Sequence, residues 1–324
     1  MRFTIGFDLD DKKKVFECWD EIITTHKWSE GKYTEQFEEK WSRYHNLDSV
    51  SFVNWTGAAL AVIEFFKLKG EVILCPSNTF MATPLCIING GAKVEFVDCN
   101  RDDLCMDVVD LKKKIEKFKP KAVCVVHIGG HIAFQIKEIA KLCKEKNIVL
   151  IEDCAHTHGA SWDGVRAGAY GDVGLYSFYA TKTISTGEGG MLVTKNKALV
   201  EFARKFRNYG KFDYVVQGIN ARMSEFTAAL GCVQIDRLDD IIRWKNEYAK
   251  KHLDPKYPKR MIFPKGMISG LYKYIVFDPI EKSTGKVYDQ PCHHFIKRDY
   301  PLPNTDWVAQ NHWCVPLYYK GEEL

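Results

Sequence analysis

The stretch VGLYSFYATKTISTGEGGMLVT (173–194) holds two apolar runs, VGLYSFY (173–179) and GMLVT (190–194), joined through ATKTISTGEG (180–189). Parallel neighbours in a sheet need a crossover of a dozen or more residues, usually a helix. This link is too short and too rich in Ser, Thr and Gly for one, so the second run is predicted to lie antiparallel to its neighbours. Upstream the pattern changes. The runs VSFVN (50–54), VILC (72–75), KVEFV (93–97), AVCVVHI (122–128) and IVLIE (148–152) alternate with helical patterns over 57–69, from about 80 to 89, 107–118 and 135–147. Runs that are apolar nearly throughout read as strands buried on both faces. Their alternation with helices predicts an α/β fold, a mostly parallel seven-stranded sheet flanked by helices.

After residue 195 the character shifts. Residues 223–253 read as one long helix, with Phe226, Leu230, Val233, Ile241 and Tyr248 near one face. Beyond it prolines recur at 255, 258, 264, 279, 291, 301, 303 and 316, and LYKYIVF (271–277) is the one clear strand pattern. The expected division is a large α/β domain over 1–235 and a short C-terminal small domain over 236–324. A helix this long looks too extended for so small a domain to cover.

Composition narrows the classes. The chain has 324 residues, 46% hydrophobic and 27% charged, which is ordinary globular usage. Lys and Arg number 46 against 42 Asp and Glu, a net charge of +4, and the lysine runs at 12–14 and 112–114 are short. The clustered basic footprint of a nucleic-acid binder is missing. The 11 cysteines are odd in number, lack CxxC spacing and fall partly in apolar runs, as Cys75 and Cys124 do. They read as small buried hydrophobes in a reducing compartment. MRFTIGFDLDDKKK has no apolar signal core, and no run approaches the roughly 18 apolar residues of a membrane span. A cytoplasmic protein without a membrane partner is expected.

In open α/β sheets ligands bind beyond the carboxyl ends of the strands. That rule collects Asn54, Thr56 and Gly57, then Ser77, Thr79 and Phe80, then His127 and His131, then Asp153, His156 and His158, and finally Ser177 and Lys182. A lysine in a tight loop at a buried strand edge either pairs with an anion or loses its proton. Neutral lysine is the form that Schiff-base chemistry uses; the plainer reading is a surface lysine in a loop. Asp153 suits a helix cap, a metal ligand or a partner for a protonated ring nitrogen, the last being what pyridoxal phosphate needs. Thr56 and Gly57 open a helix whose free amides can bind phosphate, with Thr56 as a simple N-cap the alternative. Phe80 is either core or a platform for a flat cofactor. A metal cluster of His127, His131, Asp153, His156 and His158 has no HExxH motif behind it and leaves Lys182 and the glycine loop without a role. No metal is expected. GxGxxG and P-loop patterns are absent from the sequence.

Together these segments resemble the DegT/DnrJ/EryC1/StrS family, the sugar aminotransferases of pyridoxal-phosphate fold type I, from about Tyr33 to Leu253 and more faintly beyond. SFYATKTISTGEGGMLVT is similar to the family's cofactor-lysine segment and IEDCAHTHGA to its pyridine-binding segment. PSNTFMAT resembles the stretch with the ring-stacking aromatic, and GINARMSEFTAALGCVQIDRLD the stretch after the cofactor lysine. The resemblance implies that Lys182 carries pyridoxal 5'-phosphate as a Schiff base and later moves a proton, and that Asp153 keeps the pyridine nitrogen protonated. It implies that Phe80 stacks on the ring, that His156 stands on its hydroxyl side, and that Ser177 and the Thr56 and Gly57 amides bind the phosphate. Asn220 matches an asparagine that reaches the neighbouring subunit's phosphate, which implies a homodimer with shared sites; Arg222 stands nearby.

Trp55-Thr56-Gly57 departs from the family's Ser-Gly-Thr, and the chain is shorter than most members after about residue 253. His293 or His294 in YDQPCHHF stands for a family histidine of the small domain. The function implied is transfer of an amino group, from glutamate, to a nucleotide-linked 3- or 4-keto-6-deoxyhexose in amino-sugar and lipopolysaccharide biosynthesis. The alternatives are a keto-sugar acid without a nucleotide as acceptor, a sugar dehydratase, in which histidine replaces the lysine, and a non-catalytic regulatory protein.

Overall fold

The computed structural model describes residues 6–320. Seven strands form the main sheet: β1 (Asp48–Phe52), β2 (Val72–Pro76), β3 (Lys93–Val97), β4 (Ala122–Val126), β5 (Val149–Asp153), β6 (Val173–Ser177) and β7 (Gly190–Thr194). Their order is β1-β7-β6-β5-β4-β2-β3. β7 pairs antiparallel with β1 and β6, and the remaining pairs are parallel. The single reversed strand is the one that the short link predicts. The register aligns Val126 with Asp153 and Asp153 with Leu175, so the carboxyl ends of β4, β5 and β6 form one edge.

Alternate strand residues feed two cores. One face buries Val123, Val125, Leu150, Tyr176 and Met191. The other buries Cys75, Cys124, Ile151, Leu175 and Leu192. The expected helices are present with ends shifted by up to four residues: α3 (Trp55–Phe65), α4 (Ala82–Asn89), α5 (Val108–Phe118) and α6 (Ile136–Glu145). Two helices precede them, α1 (Leu9–Thr25) and α2 (Lys32–His45), and α7 (Lys197–Phe206) follows β7.

The single helix expected over 223–253 is instead α8 (Glu225–Asp236), α9 (Leu238–Tyr248) and a wider turn of π-helix over Ala249–Leu253. The break falls at Arg237. Its amide turns back to the Gln234 carbonyl at 3.2 Å, and its guanidinium reaches Asp11 on α1 at 2.8 Å. The apolar stripe is covered within the chain: Phe226 meets the Trp19 and Trp28 rings edge-on at 6.2 and 5.5 Å. At Gly231 a Cβ would lie 2.6 Å from the Phe37 ring, so glycine permits the close approach of α8 to α2. The stripe therefore calls for no second chain.

After α9 a small sheet pairs β8 (Tyr274–Val276) antiparallel with β9 (Trp313–Val315) around Leu253, Leu271 and Leu317. Not all of 236–324 stays apart from the main sheet. Tyr300 donates from its hydroxyl to Glu95 on β3 at 2.6 Å, the Thr305 amide donates to Asp98 at 2.7 Å, and Cys292 and Leu302 share a core with Phe96. All 11 cysteines are free and ten of them are buried, as the apolar runs predict. Among the described residues no helix is long and apolar enough to cross a membrane.

Helix α2 begins at Gly31, which has no side chain to cap it. Glu225, in the first turn of α8, takes over. Its carboxylate accepts from the amides of Gly31 (3.0 Å), Tyr33 (2.7 Å) and Thr34 (3.0 Å) and from the Thr34 hydroxyl. Glu225 is 1% exposed, so water cannot replace it. Glu225→Ala should lower the unfolding free energy by about 3 kcal/mol, through several buried donors left unpaired. Glu225→Gln, which keeps an acceptor, should lose less, and urea denaturation of the two variants checks the order.

Candidate active site

At the edge formed by β5 and β6 lies a cavity of ≈ 220 Å³. It gathers Thr56, Phe80, Asp153, His156, Ser177 and Lys182, drawn from segments far apart in sequence. Of the residues that the resemblance assigns to the cofactor, two stand outside its lining, Gly57 and Asn220. Gly57 lies in the first turn of α3 with its amide donating to Asn54 Oδ1 at 2.9 Å. Asn54, not Thr56, is the N-cap of that helix. Asn220 is exposed and bridges through its backbone to Asn208.

The loop that carries Lys182 is tied down at both ends. The Phe178 amide donates to the Gly189 carbonyl at 2.9 Å and the Thr186 amide to the Phe178 carbonyl at 3.0 Å. Gln234 of α8 donates to the Ser185 carbonyl at 2.8 Å. At Gly190 a Cβ would meet the Asn54 backbone at 2.4 Å, so glycine is what lets β7 start against the head of α3. Lys182 is half-buried, with its ammonium 5.1 Å from the centre of the Tyr272 ring. Burial pulls its pKa down to about 8; the Asp153 carboxylate opposes that fall, and the Lys273 charge adds to it.

Asp153 is 5% exposed and forms no ion pair with a described residue. Oδ2 accepts from the Thr83 hydroxyl at 3.0 Å and Oδ1 from the Ala155 amide at 3.1 Å. Burial pushes the carboxyl upward, while the two hydrogen bonds and the Lys182 charge hold it down. A buried carboxylate with open lone pairs on a cavity wall suits a cationic ligand atom. His156 is buried and neutral, its pKa held far below the usual range by burial and by Lys182 and Lys273. Nδ1 accepts from the Gly129 amide at 3.3 Å, which places the proton on Nε2, facing the Tyr288 hydroxyl at 3.4 Å. Its ring stacks on Tyr272 at 4.2 Å. Ser177 Oγ accepts from the Tyr179 amide at 3.3 Å. Phe80 is 66% exposed at the rim.

The other histidines disperse. His127 donates from Nε2 to Glu152 at 2.9 Å and accepts the Ala133 amide at Nδ1, a fully buried pair. His131 pairs with the Asp103 carbonyl at 2.9 Å, and His158 is packed among Trp41, Tyr176 and Phe178. Only Asp153 and His156 of the five possible metal ligands reach the cavity. His293 binds Ser77 Oγ at 2.8 Å and, with His294, faces Asp306, away from the cavity lining. Sequence reasoning missed Asn54 as the cap, Thr83, Glu188, Tyr272 and Tyr288. Thr83 and Glu188 lie inside stretches already singled out for the site; Tyr272, in LYKYIVF, and Tyr288, in YDQPCHHF, lie in stretches whose sequence does not say that they fold back against His156.

The residue pattern of one enzyme family matches residues 10–254. The chain belongs to the DegT/DnrJ/EryC1/StrS aminotransferase family. Over 246 residues this family member is 35% identical to the GDP-perosamine synthase of Escherichia coli O157:H7, covering 74% of the chain and 66% of that protein. It is 31% identical over 266 residues to the UDP-4-amino-4,6-dideoxy-N-acetyl-beta-L-altrosamine transaminase of Campylobacter jejuni, covering 79% of the chain and 68% of that protein. The matched stretches thus span about two thirds of these relatives. The aminotransferase TlmJ from Streptoalloteichus hindustanus has the same fold, with a TM-score of 0.89 at 24% identity over 98% of this chain and 93% of that one.

The Lys182 amine should react as a nucleophile at unusually low pH. In protein freed of any bound aldehyde, its reductive modification should reach half its maximal rate at a pH of about 8, above which the neutral amine dominates. Asp153→Asn removes the charge that holds the proton on, so the midpoint should fall further. Peptide mass mapping across a pH series reads both values.

Proposed function

We propose that this protein is a pyridoxal-phosphate-dependent aminotransferase that passes an amino group, taken from glutamate, to a nucleotide-linked 3- or 4-keto-6-deoxyhexose. The observation that carries this reading is the pairing, across one cavity, of a lysine whose pKa is drawn down to about 8 with a buried carboxylate that has no cationic partner among the described side chains in contact with it. The relatives, by name a perosamine synthase and an amino-sugar transaminase, supply the sugar class. That donor set fits the cofactor: an amine for its aldehyde and a carboxylate for its ring nitrogen.

Pyridoxal phosphate, when bound, supplies an electron sink through its protonated ring nitrogen. Asp153 holds that proton in place, with Thr83 and the Ala155 amide fixing the carboxylate. Lys182 would hold the cofactor by its aldehyde, and its Nζ as a free amine would carry a proton between the substrate carbon and the cofactor. A lysine poised near working pH does this well, and such proton transfer contributes about 10²–10⁴-fold. Ser177 and the head of α3 hold the phosphate. There Trp55 and Thr56 occupy the first two helical positions, whose amides have no partner within the helix, whereas the Gly57 amide serves only if Asn54 gives way. Phe80 would cover the ring and His156 would stand on its hydroxyl side. Asn220, exposed and off the cavity, is the residue through which a second copy completes the site, and the protein acts as a homodimer.

Borohydride treatment of the yellow holoprotein followed by peptide mapping should place the pyridoxyl group on Lys182. Glutamate alone should release 2-oxoglutarate, and Lys182→Ala should abolish that release while the protein still folds. Absence of 2-oxoglutarate with every amino donor and keto-sugar tried would end this reading. Asn220→Ala should weaken cofactor retention without unfolding the chain, measured as loss of absorbance on dialysis; a fully active monomer at low concentration would exclude the shared site.

A further inference from the structure

Beside the main cavity is a smaller one of ≈ 60 Å³, on which Lys182, Lys245 and Lys273 converge with Thr181, Thr183 and Tyr272. Among the described residues no Asp or Glu lines it. Lys245 comes from α9 and is 6% exposed. Among the described residues its ammonium makes one hydrogen bond, to the Leu271 carbonyl at 3.1 Å, although it has three to give. Lys273 forms no ion pair with a described residue; its ammonium lies 5.4 Å from the Tyr272 ring centre. The Thr183 hydroxyl oxygen is buried without a partner among the described residues. Burial and the neighbouring Lys273 charge drag Lys245 down to about 8.

A buried ammonium without a counter-charge, as at Lys245, destabilises a fold, and such a group is normally paired. Here the missing charge has a place to sit. The cavity is large enough for a few water-sized groups, which suits one oxyanion and is too small for a diphosphate. A wider cleft of ≈ 540 Å³, lined also by Phe80 and Phe295, shares Thr181, Lys182, Tyr272 and Lys273 with it.

We propose that Lys245, Lys273 and the Thr183 hydroxyl form a receptor for a single oxyanion head group, carboxylate or phosphoryl, of a substrate that enters through the wider cleft. The proposal rests on the aminotransferase reading only in taking Lys182 as the reacting lysine. The head group holds the substrate beside Lys182 and makes Lys245 and Lys273 specificity residues. A carboxylate belongs to the amino donor; a phosphoryl group belongs to the acceptor.

Holoprotein titrated calorimetrically at constant ionic strength with glutarate, inorganic phosphate and uncharged 1,5-pentanediol tests this. One anion per chain should bind and the diol should not. Lys273→Met and Thr183→Val should weaken that anion roughly tenfold or more, the loss of a charged or buried hydrogen bond. Lys286→Met, which changes the wider cleft alone, should leave the affinity within roughly twofold. Tighter glutarate assigns the receptor to the donor, and tighter phosphate to the acceptor. No saturable anion, or equal binding by Lys273→Met, overturns the proposal; Lys245→Met is informative only where its melting curve is intact. If 2-oxoglutarate release persists without anion binding, the receptor alone falls. If the anion binds but borohydride never marks Lys182, the aminotransferase reading alone falls.

Discussion

Strand β7 hydrogen-bonds on both sides to strands that run the other way, and that reversal sets where everything else in the site stands. A parallel β7 would need a crossover helix to carry the chain back to the opposite edge. Because it is antiparallel, the chain leaves β6 at the carboxyl edge and turns back on the same edge. The residues of the turn, Lys182 among them, are therefore delivered to the ends of β4 and β5. The close contact of Gly190 with Asn54 then brings the head of α3 to the same place.

The electrostatics of the site follow from burial more than from pairing. Asp153 and Lys182 oppose each other's shifts, since each charge stabilises the other, while desolvation works against both. His156 lies in the same positive field and stays neutral. The result is a pocket wall with an amine that readily gives up its proton, a carboxylate with open lone pairs, and an uncharged imidazole held by stacking. Lys273 adds to the field at Lys182, His156 and Lys245 alike.

What the sequence reveals and what it hides divide along physical lines. The central strands are legible because strands buried on both faces are apolar throughout, and Lys182 and Asp153 because polar residues at the ends of such runs stand out. Tyr272 and Tyr288 are not legible, since nothing local says that a segment a hundred residues on folds back over His156. The bend at Arg237 is hidden because the helical periodicity continues through it, while the Asp11 that pairs with Arg237 there lies on a helix distant in sequence. The sequence points to Thr56 as N-cap, two residues late, because Asn54 sits at the end of an apolar run that reads as strand.

Glu152 and Asp153 are neighbours in sequence, both buried, and both acidic. The pleat sends them to opposite sides of the sheet. Glu152 accepts the amides of Gly168 at 2.9 Å, Tyr170 at 2.7 Å and Gly171 at 2.6 Å, as well as His127, and so braces the turn that leads into β6. Asp153 faces the cavity. Adjacent carboxylates would repel if they shared a side, but one layer of backbone separates a structural anion from a chemical one. A slip of one residue in the pairing of β5 would exchange them, putting the brace in the pocket and the pocket's acid in the brace. The same short strand thus encodes its own proofreading, because the misaligned sheet would lose its scaffold and its chemistry at a single stroke.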